Sequence, residues 1–147
     1  MTFLLDVNVL IALIDPTHVN HDIAHHWFAE DAQTGWATCP LTENGVVRIV
    51  SHPGYPNSSG TPALVADIVS RLKMLPGYRF WPDNISLLDL KIIDTSRLLS
   101  HSQVTDSYLL ALACANNGQL ATFDRRLIVD AVVGGAESLR IIDLPDG

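Results

Sequence analysis

The sequence predicts an α/β domain built on a mainly parallel sheet, and three observations carry that prediction. Short apolar segments of strand character alternate with longer segments of helical period along the 147 residues. The junctions carry turn or cap signals, among them Asp15-Pro16, His52-Pro53, Pro76-Gly77 and Asn117-Gly118. No repeat, linker or low-complexity tract divides the chain, so residues 1–147 read as one domain.

The elements follow in order. Thr2–Leu5 is short and apolar, a buried strand followed at once by Asp6. Val7–Ile14 is an apolar helix stopped by Asp15-Pro16, and His18–Ala32 is amphipathic through Val19, Ile23, Trp27 and Phe28. Trp36–Cys39 is a second strand closed by Pro40. Thr42 is then expected to cap a helix running through Val46, Val47 and Val50. Gly54–Gly60 is a loop by composition, and Pro62 opens a helix through Leu64, Ile68 and Leu72. Arg79–Trp81 reads as a strand and Ile85–Ser100 as mostly helical. Val104–Asn117 is a helix apolar nearly all round, Gln119–Thr122 a strand, Arg125–Val129 a short helix, and Leu139–Ile142 a last strand.

Composition narrows the class. With 48% hydrophobic and 17% charged residues, the chain cannot be an intrinsically disordered segment. Cys39 and Cys114 are too few for a disulfide framework and suit a reducing compartment. The opening MTFLLDVNVL lacks a basic region and is interrupted by Asp6, which argues against a signal peptide. No apolar run reaches the length of a membrane span, so a cytoplasmic protein without membrane contact is expected. The formal charge is −7, yet only Glu30, Glu43 and Glu137 are glutamates. Aspartate favours caps and turns, so most of the acids should lie at element boundaries.

In a parallel sheet those boundaries matter, because the carboxyl ends of the strands share one edge beside helix N-termini. Four acids meet that description: Asp6 after the first strand, Glu43 opening the helix after the second, Asp106 in the first turn of the apolar helix, and Asp124 after Gln119–Thr122. Each alone reads more readily as a cap or a first-turn acid favoured by the helix dipole. Two points favour a site. Asp106 stands in VTDSYLLALACA, where a carboxylate is costly unless a cation or several donors compensate it. Small polar neighbours, Asn8, Thr105, Ser107 and Thr122, can orient carboxylates by hydrogen bonding.

Carboxylates gathered at one edge raise one another's pKa, and a divalent cation removes that cost. Oxygen ligands without cysteine or histidine suit Mg²⁺, or Mn²⁺, and the chemistry such a centre supports is phosphoryl transfer. A haloacid-dehalogenase-type phosphatase needs Asp-x-Asp after its first strand, where this chain has Asn8 in the third position. It also needs a well-placed lysine, and neither Lys73 nor Lys91 adjoins a strand end in sequence. The same shortage weakens a response-regulator receiver, and a toprim nuclease lacks its later Asp-x-Asp. A phosphatase on a related sheet and a non-catalytic binding module with caps alone remain as alternatives.

LLDVNVLIAL, PLTENGVVRIV, QVTDSYLLALA and LATFDRRL, in that order, resemble the motifs of PIN-domain ribonucleases, and among them the VapC-type toxins of bacterial toxin–antitoxin pairs. The resemblance implies a three-layer α/β/α domain with a central sheet of about five short strands. It implies a Mg²⁺-dependent endoribonuclease whose metal is held chiefly by Asp6 and Asp106, with Asp124 direct or through water and Glu43 mostly through water or holding a second ion. Activated water would attack the phosphodiester in line, and loops of transfer or ribosomal RNA would be the substrates. A homodimer and a cognate antitoxin that blocks the groove are implied as well. With the four acids set aside and one cation bound, the rest of the surface is nearly neutral, which disfavours sequence-blind RNA binding. Arg125 and Arg126 are the candidates for phosphate contacts.

Other features read more plainly. His18, His21 and His25 are expected to share a helix face that, with Trp27 and Phe28, is interfacial or contacts the antitoxin, since no further ligand supports a metal site. Cys39 and Cys114 read as core thiols, His52 and His101 as surface residues, Gly134-Gly135 as a turn, and Tyr55 and Trp81 as packing residues.

Overall fold

Every strand pairing in the central sheet is parallel. The strands are β1 (Phe3–Leu5), β2 (Trp36–Thr38), β3 (Tyr78–Phe80), β4 (Gln119–Thr122) and β5 (Leu139–Ile141), arranged β3-β2-β1-β4-β5. The computed structural model describes residues 1–58 and 60–143. Ser59 of the expected loop and the last four residues of the expected domain lie outside the described residues. Five α-helices accompany the strands among the described residues: α1 (Val7–Ile14), α2 (His21–Asp31), α3 (Pro40–Val50), α4 (Pro62–Leu72) and α5 (Ser102–Ala115).

Alternation along the strands builds two cores. Phe3, Leu5, Trp36 and Ala121 face a cluster filled by α1 to α4, with Val9, Leu10, Trp27, Val46, Val50, Val65 and Val69 at its centre. Leu4, Ala37 and Leu120 face the other cluster, filled by Leu109 to Ala113 of α5 with Trp81, Ile93 and Val132. The result is the expected three-layer α/β/α sandwich. No helix among the described residues is long and apolar enough to cross a membrane.

The chain winds outward from β1 to β3, then returns to add β4 and β5 on the other side of β1. The topological switch point therefore lies between β1 and β4, and parallel sheets of this kind form their crevices outside the strand ends there. Asp6 follows β1 and Asp124 lies just past β4, one on each side of that point. At the opposite end of the sheet, α5 closes with a paired αL cap. Asn117 adopts a left-handed φ of 55°, Gly118 N–H donates to Ala113 O at 2.9 Å, and Asn117 N–H donates to Cys114 O at 3.1 Å. Gly118 is required by contact, since a Cβ there would stand 2.4 Å from the Thr2 carbonyl oxygen.

Several expectations are corrected. Ile85–Ser100 is not mostly helical; it forms turns and one 3-10 turn at Thr95–Arg97. Its short polar side chains take the backbone donors a helix would use: Ser86 Oγ accepts from Leu88 N–H, Asp89 Oδ1 from Lys91 N–H, and Asp94 Oδ1 from Ser96 N–H. Ile93 then bridges to Val132. Arg125–Val129 is no helix either, because Asp124 Oδ1 captures Arg126 N–H in a local turn. Helix α3 starts at Pro40 with Cys39 as its N-cap, and Thr42 acts from inside the first turn by accepting from Cys39 N–H. Trp81 leaves β3 for the core, as its packing role requires. Cys39 is a core thiol, whereas Cys114 is only half-buried.

The shared face of three histidines is also corrected, because only His21 and His25 lie on α2. His18 lies in the turn before α2, where its Nδ1 accepts from Asn20 N–H. His21 Nδ1 and His25 Nε2 reach back to the Ala12 and Leu13 carbonyls at 2.7 and 2.8 Å, and must donate there. They satisfy two of the carbonyls that the end of α1 leaves without helical partners. His21→Ala is expected to cost about 1 kcal/mol of stability, read as a lower midpoint in urea with an unchanged slope.

Candidate active site

At the carboxyl edge of the sheet, Asp6, Asp106 and Asp124 come within range of one another's charge. Asp6 is nearly buried at the N-cap of α1, where its Oδ1 accepts from Val7 N–H at 2.7 Å. Its Oδ2 accepts from the Thr122 hydroxyl at 2.8 Å. Thr122 is fully buried and joins the two sides of the switch point, since its oxygen also accepts from Asn8 Nδ2 at 3.1 Å and from Asp124 N–H at 3.1 Å. Asn8 Oδ1 in turn accepts from Phe123 N–H. Two of the proposed orienting residues, Asn8 and Thr122, thus hold the site directly. Thr105 is exposed and makes no side-chain hydrogen bond to these acids among the described residues.

Capping accounts for part of Asp6 but for nothing at Asp106. Helix α5 begins at Ser102, two residues earlier than expected, so Asp106 lies in the second turn rather than the first. Beyond the first turn the helix dipole offers a carboxylate little. Burial, then the charges of Asp6 and Asp124, push the Asp106 carboxyl up to about 6. Asp6 is raised as well, chiefly by burial and further by Asp124, against the lowering bonds from Thr122 and Val7. Asp6, Asp106 and Asp124 therefore act on one another through space, the mutual repulsion that the sequence implies. A cavity of about 380 Å³ opens on Asp106 and Asp124, walled by Ser100, Gln103, Arg126 and Ile128.

Glu43 stands apart. It sits in the first turn of α3, and its Oε2 receives Lys73 Nζ at 2.8 Å and the Thr38 hydroxyl at 2.8 Å. Lys73, written off in the sequence for lack of an adjoining strand end, is packed against Tyr78 and Phe80 of β3. The two arginines also separate. Arg126 lines the acidic cavity, while Arg125 pairs with Asp143 at 3.1 Å on a different face.

Do these residues fit a divalent cation? Among the described residues, no group of three or more His, Cys, Asp or Glu side chains is arranged to hold a metal ion directly. A hard cation of the Mg²⁺ type does not need one, because it keeps several waters and takes only one or two protein carboxylates. The donor set is all oxygen, and the repulsion among the aspartates is the cost such a cation removes. The residues fit a hydrated cation better than a closed four-ligand cage. Residues the sequence did not single out are Lys73, Thr38 and Tyr78 around Glu43, and Gln103, which ties Leu99 N–H and the Arg97 carbonyl to the cavity wall.

Comparison with known proteins gives the family to which this fold belongs. Residues 3–131 match the PIN domain family. The chain is 45% identical over 137 residues to ribonuclease VapC44 of Mycobacterium tuberculosis, covering 93% of this chain and 96% of that protein. It is 44% identical over 139 residues to ribonuclease VapC39 of the same organism, covering 95% and 100%. The fold is shared with M. tuberculosis VapC20, a Sarcin-Ricin loop cleaving toxin, at a TM-score of 0.63 and 11% identity over 89% of this chain and 96% of that one. It is also shared with VapBC2 of Rickettsia felis bound to a promoter DNA fragment, at a TM-score of 0.61 and 12% identity over 97% and 100% of the two chains. The chain belongs to the VapC branch of the PIN-domain family.

Proposed function

We propose that this protein is a divalent-metal-dependent endoribonuclease, the toxin of a toxin–antitoxin pair. Its RNA-cleaving activity is supported by the 45% identity to a VapC ribonuclease across nearly the whole chain. The single structural observation that carries the reading is the gathering of Asp6, Asp106 and Asp124 at the topological switch point, where burial and neighbouring charge strain the Asp6 and Asp106 carboxylates. Capping leaves that strain unexplained, which disfavours the binding-module reading. Kinship with the VapC ribonucleases disfavours a phosphatase.

The division of labour follows from position. Asp6 and Asp106 would hold Mg²⁺, or Mn²⁺, with Asp124 beside them. Such a cation lowers the pKa of water and polarises the scissile phosphate. Thr122 and Asn8 fix the Asp6 carboxylate and the Asp124 backbone across the switch point, so the acids need not reorganise when charge develops. Arg126, on the cavity wall, is placed to take a backbone phosphate oxygen of the RNA. A surface nearly neutral outside the site suits recognition of a particular shape with unstacked bases, such as a loop of transfer or ribosomal RNA. A cytoplasmic homodimer held inactive by an antitoxin completes the reading; the antitoxin partner is supported by kinship with VapC proteins and by the VapBC complex of the same fold.

Purified protein incubated with total RNA in Mg²⁺ should give discrete cleavage ends, lost with a chelator and in Asp6→Asn. If wild type yields no Mg²⁺-dependent ends, and Asp6→Asn lowers stability only by the ~1 kcal/mol of a lost cap, the binding-module reading replaces this one.

A further inference from the structure

Strand order places Glu43 after β2, Asp6 after β1 and Asp124 past β4 along the carboxyl edge, and the Lys73 ammonium, packed on Tyr78 and Phe80 of β3, reaches that edge at Glu43. The cation stands at one end, so the four acids are not equivalent. Glu43 Oε2 gathers the Lys73 ammonium at 2.8 Å, the Thr38 hydroxyl at 2.8 Å and the Tyr78 hydroxyl at 3.5 Å. Among the described residues its other oxygen accepts no hydrogen bond from the protein. Lys73 is itself fixed. Its backbone caps α4, and its ammonium lies 5.2 Å from the Tyr78 ring centre and 5.6 Å from that of Phe80, which share one face of β3. An ion pair with side chains 31% and 26% exposed adds little stability. It does decide where Glu43 points.

The geometry points to Lys73 as a positioning residue that holds Glu43 against β2 and β3, with one oxygen left to accept from water. The inference rests on the nuclease reading above. Lys73 and a cation held by the aspartates are rivals for the same carboxylate. Remove the ammonium, and Glu43 is free to turn toward that cation and add a further anionic ligand. Affinity for divalent ions rises with ligand charge, while hydrolysis loses the carboxylate that was kept for water. Lys73 therefore weakens metal binding and favours turnover.

The test compares wild type, Lys73→Met, Lys73→Arg and the double variant Lys73→Met/Glu43→Gln. Mn²⁺ affinity is measured by calorimetry, and cleavage of the mapped RNA under single-turnover conditions. Lys73→Met, which keeps the packing on Tyr78 and Phe80, should bind Mn²⁺ several-fold more tightly and cleave about 10- to 100-fold more slowly, the range for loss of a group that orients a metal ligand. Lys73→Arg should recover most of both effects, and the double variant should lose the gain in affinity. Lys73→Gln guards against a folding defect peculiar to Met and should change in the same direction. Equal or weaker Mn²⁺ binding by both Lys73→Met and Lys73→Gln overturns the positioning role, whatever cleavage does. A wild type that binds Mn²⁺ but cuts no RNA sinks the nuclease reading alone, because the affinity comparison still stands. A wild type that binds no Mn²⁺ overturns both.

Discussion

Asp106→Asn should end RNA cleavage and, with no divalent cation present, leave the protein more stable than wild type. The two effects share one cause. Asp106 is held among other carboxylates on a half-buried stretch of α5, with no backbone donor or basic side chain to compensate it among the described residues. Its folded-state pKa of about 6 exceeds the ordinary 3.8, so the folded chain binds the proton more tightly than the unfolded chain does. The stability this supplies is complete below about pH 4 and is lost as pH rises through about 6. At neutral pH the ionised side chain opposes folding. Asparagine keeps the shape and removes the charge, a gain on the order of 1 to 2 kcal/mol at pH 7 once solvent screening is allowed for. That gain should vanish near pH 4.

A first-turn or capping carboxylate predicts the opposite sign, a loss of about 1 kcal/mol, so urea denaturation of the two proteins at pH 7 and pH 4 separates the readings. Adding Mg²⁺ should then raise the wild-type midpoint while leaving Asp106→Asn where it was, since only a ligand bound to the folded state stabilises it. Cleavage should fall by at least about 100-fold, beyond what losing an orienting partner alone would cost. A variant that is less stable than wild type at pH 7 would remove Asp106 from the site.

What the sequence makes legible is whatever depends on neighbours along the chain. Asp6 and Asp124 stand out because each sits just past an apolar strand, and Asp106 because it is the one charge in an otherwise apolar helix. Asn8 and Thr122 are legible as small polar residues flanking those acids. Contacts made by distant segments leave no such trace. Lys73 reaches Glu43 across 30 residues, from the end of one helix to the start of another, and nothing in its local sequence marks it. The adjacent Arg125 and Arg126 diverge because Asp124 closes a tight turn where a helix was expected, sending one side chain to Asp143 and the other to the cavity. The segment 85–100 fails for the same reason at greater length. Its leucines and isoleucines have roughly helical spacing, but Ser86, Asp89 and Asp94 bond to nearby backbone first.

Thr122→Val should be the most damaging change that removes no charge. A hydroxyl has one proton and two lone pairs, and Thr122 uses all three: it donates to Asp6 and accepts from Asn8 and from the Asp124 backbone. Valine matches its shape and supplies none of these. The Asp6 oxygen loses its donor in a nearly buried place, and two donors, one on each side of the switch point, lose their acceptor. Leaving such groups unpaired costs on the order of 2 to 3 kcal/mol, visible as a lower urea midpoint. The loss also frees the Asp6 carboxylate to rotate, so Mn²⁺ affinity and cleavage should each fall about 10- to 100-fold. Thr122→Ser separates packing from hydrogen bonding. It keeps the hydroxyl and discards a methyl, so it should recover most of the metal affinity while remaining somewhat less stable than wild type. If valine and serine instead lose affinity equally, the hydroxyl is not what holds Asp6, and the rigidity of the centre must come from the packing of β1 against β4.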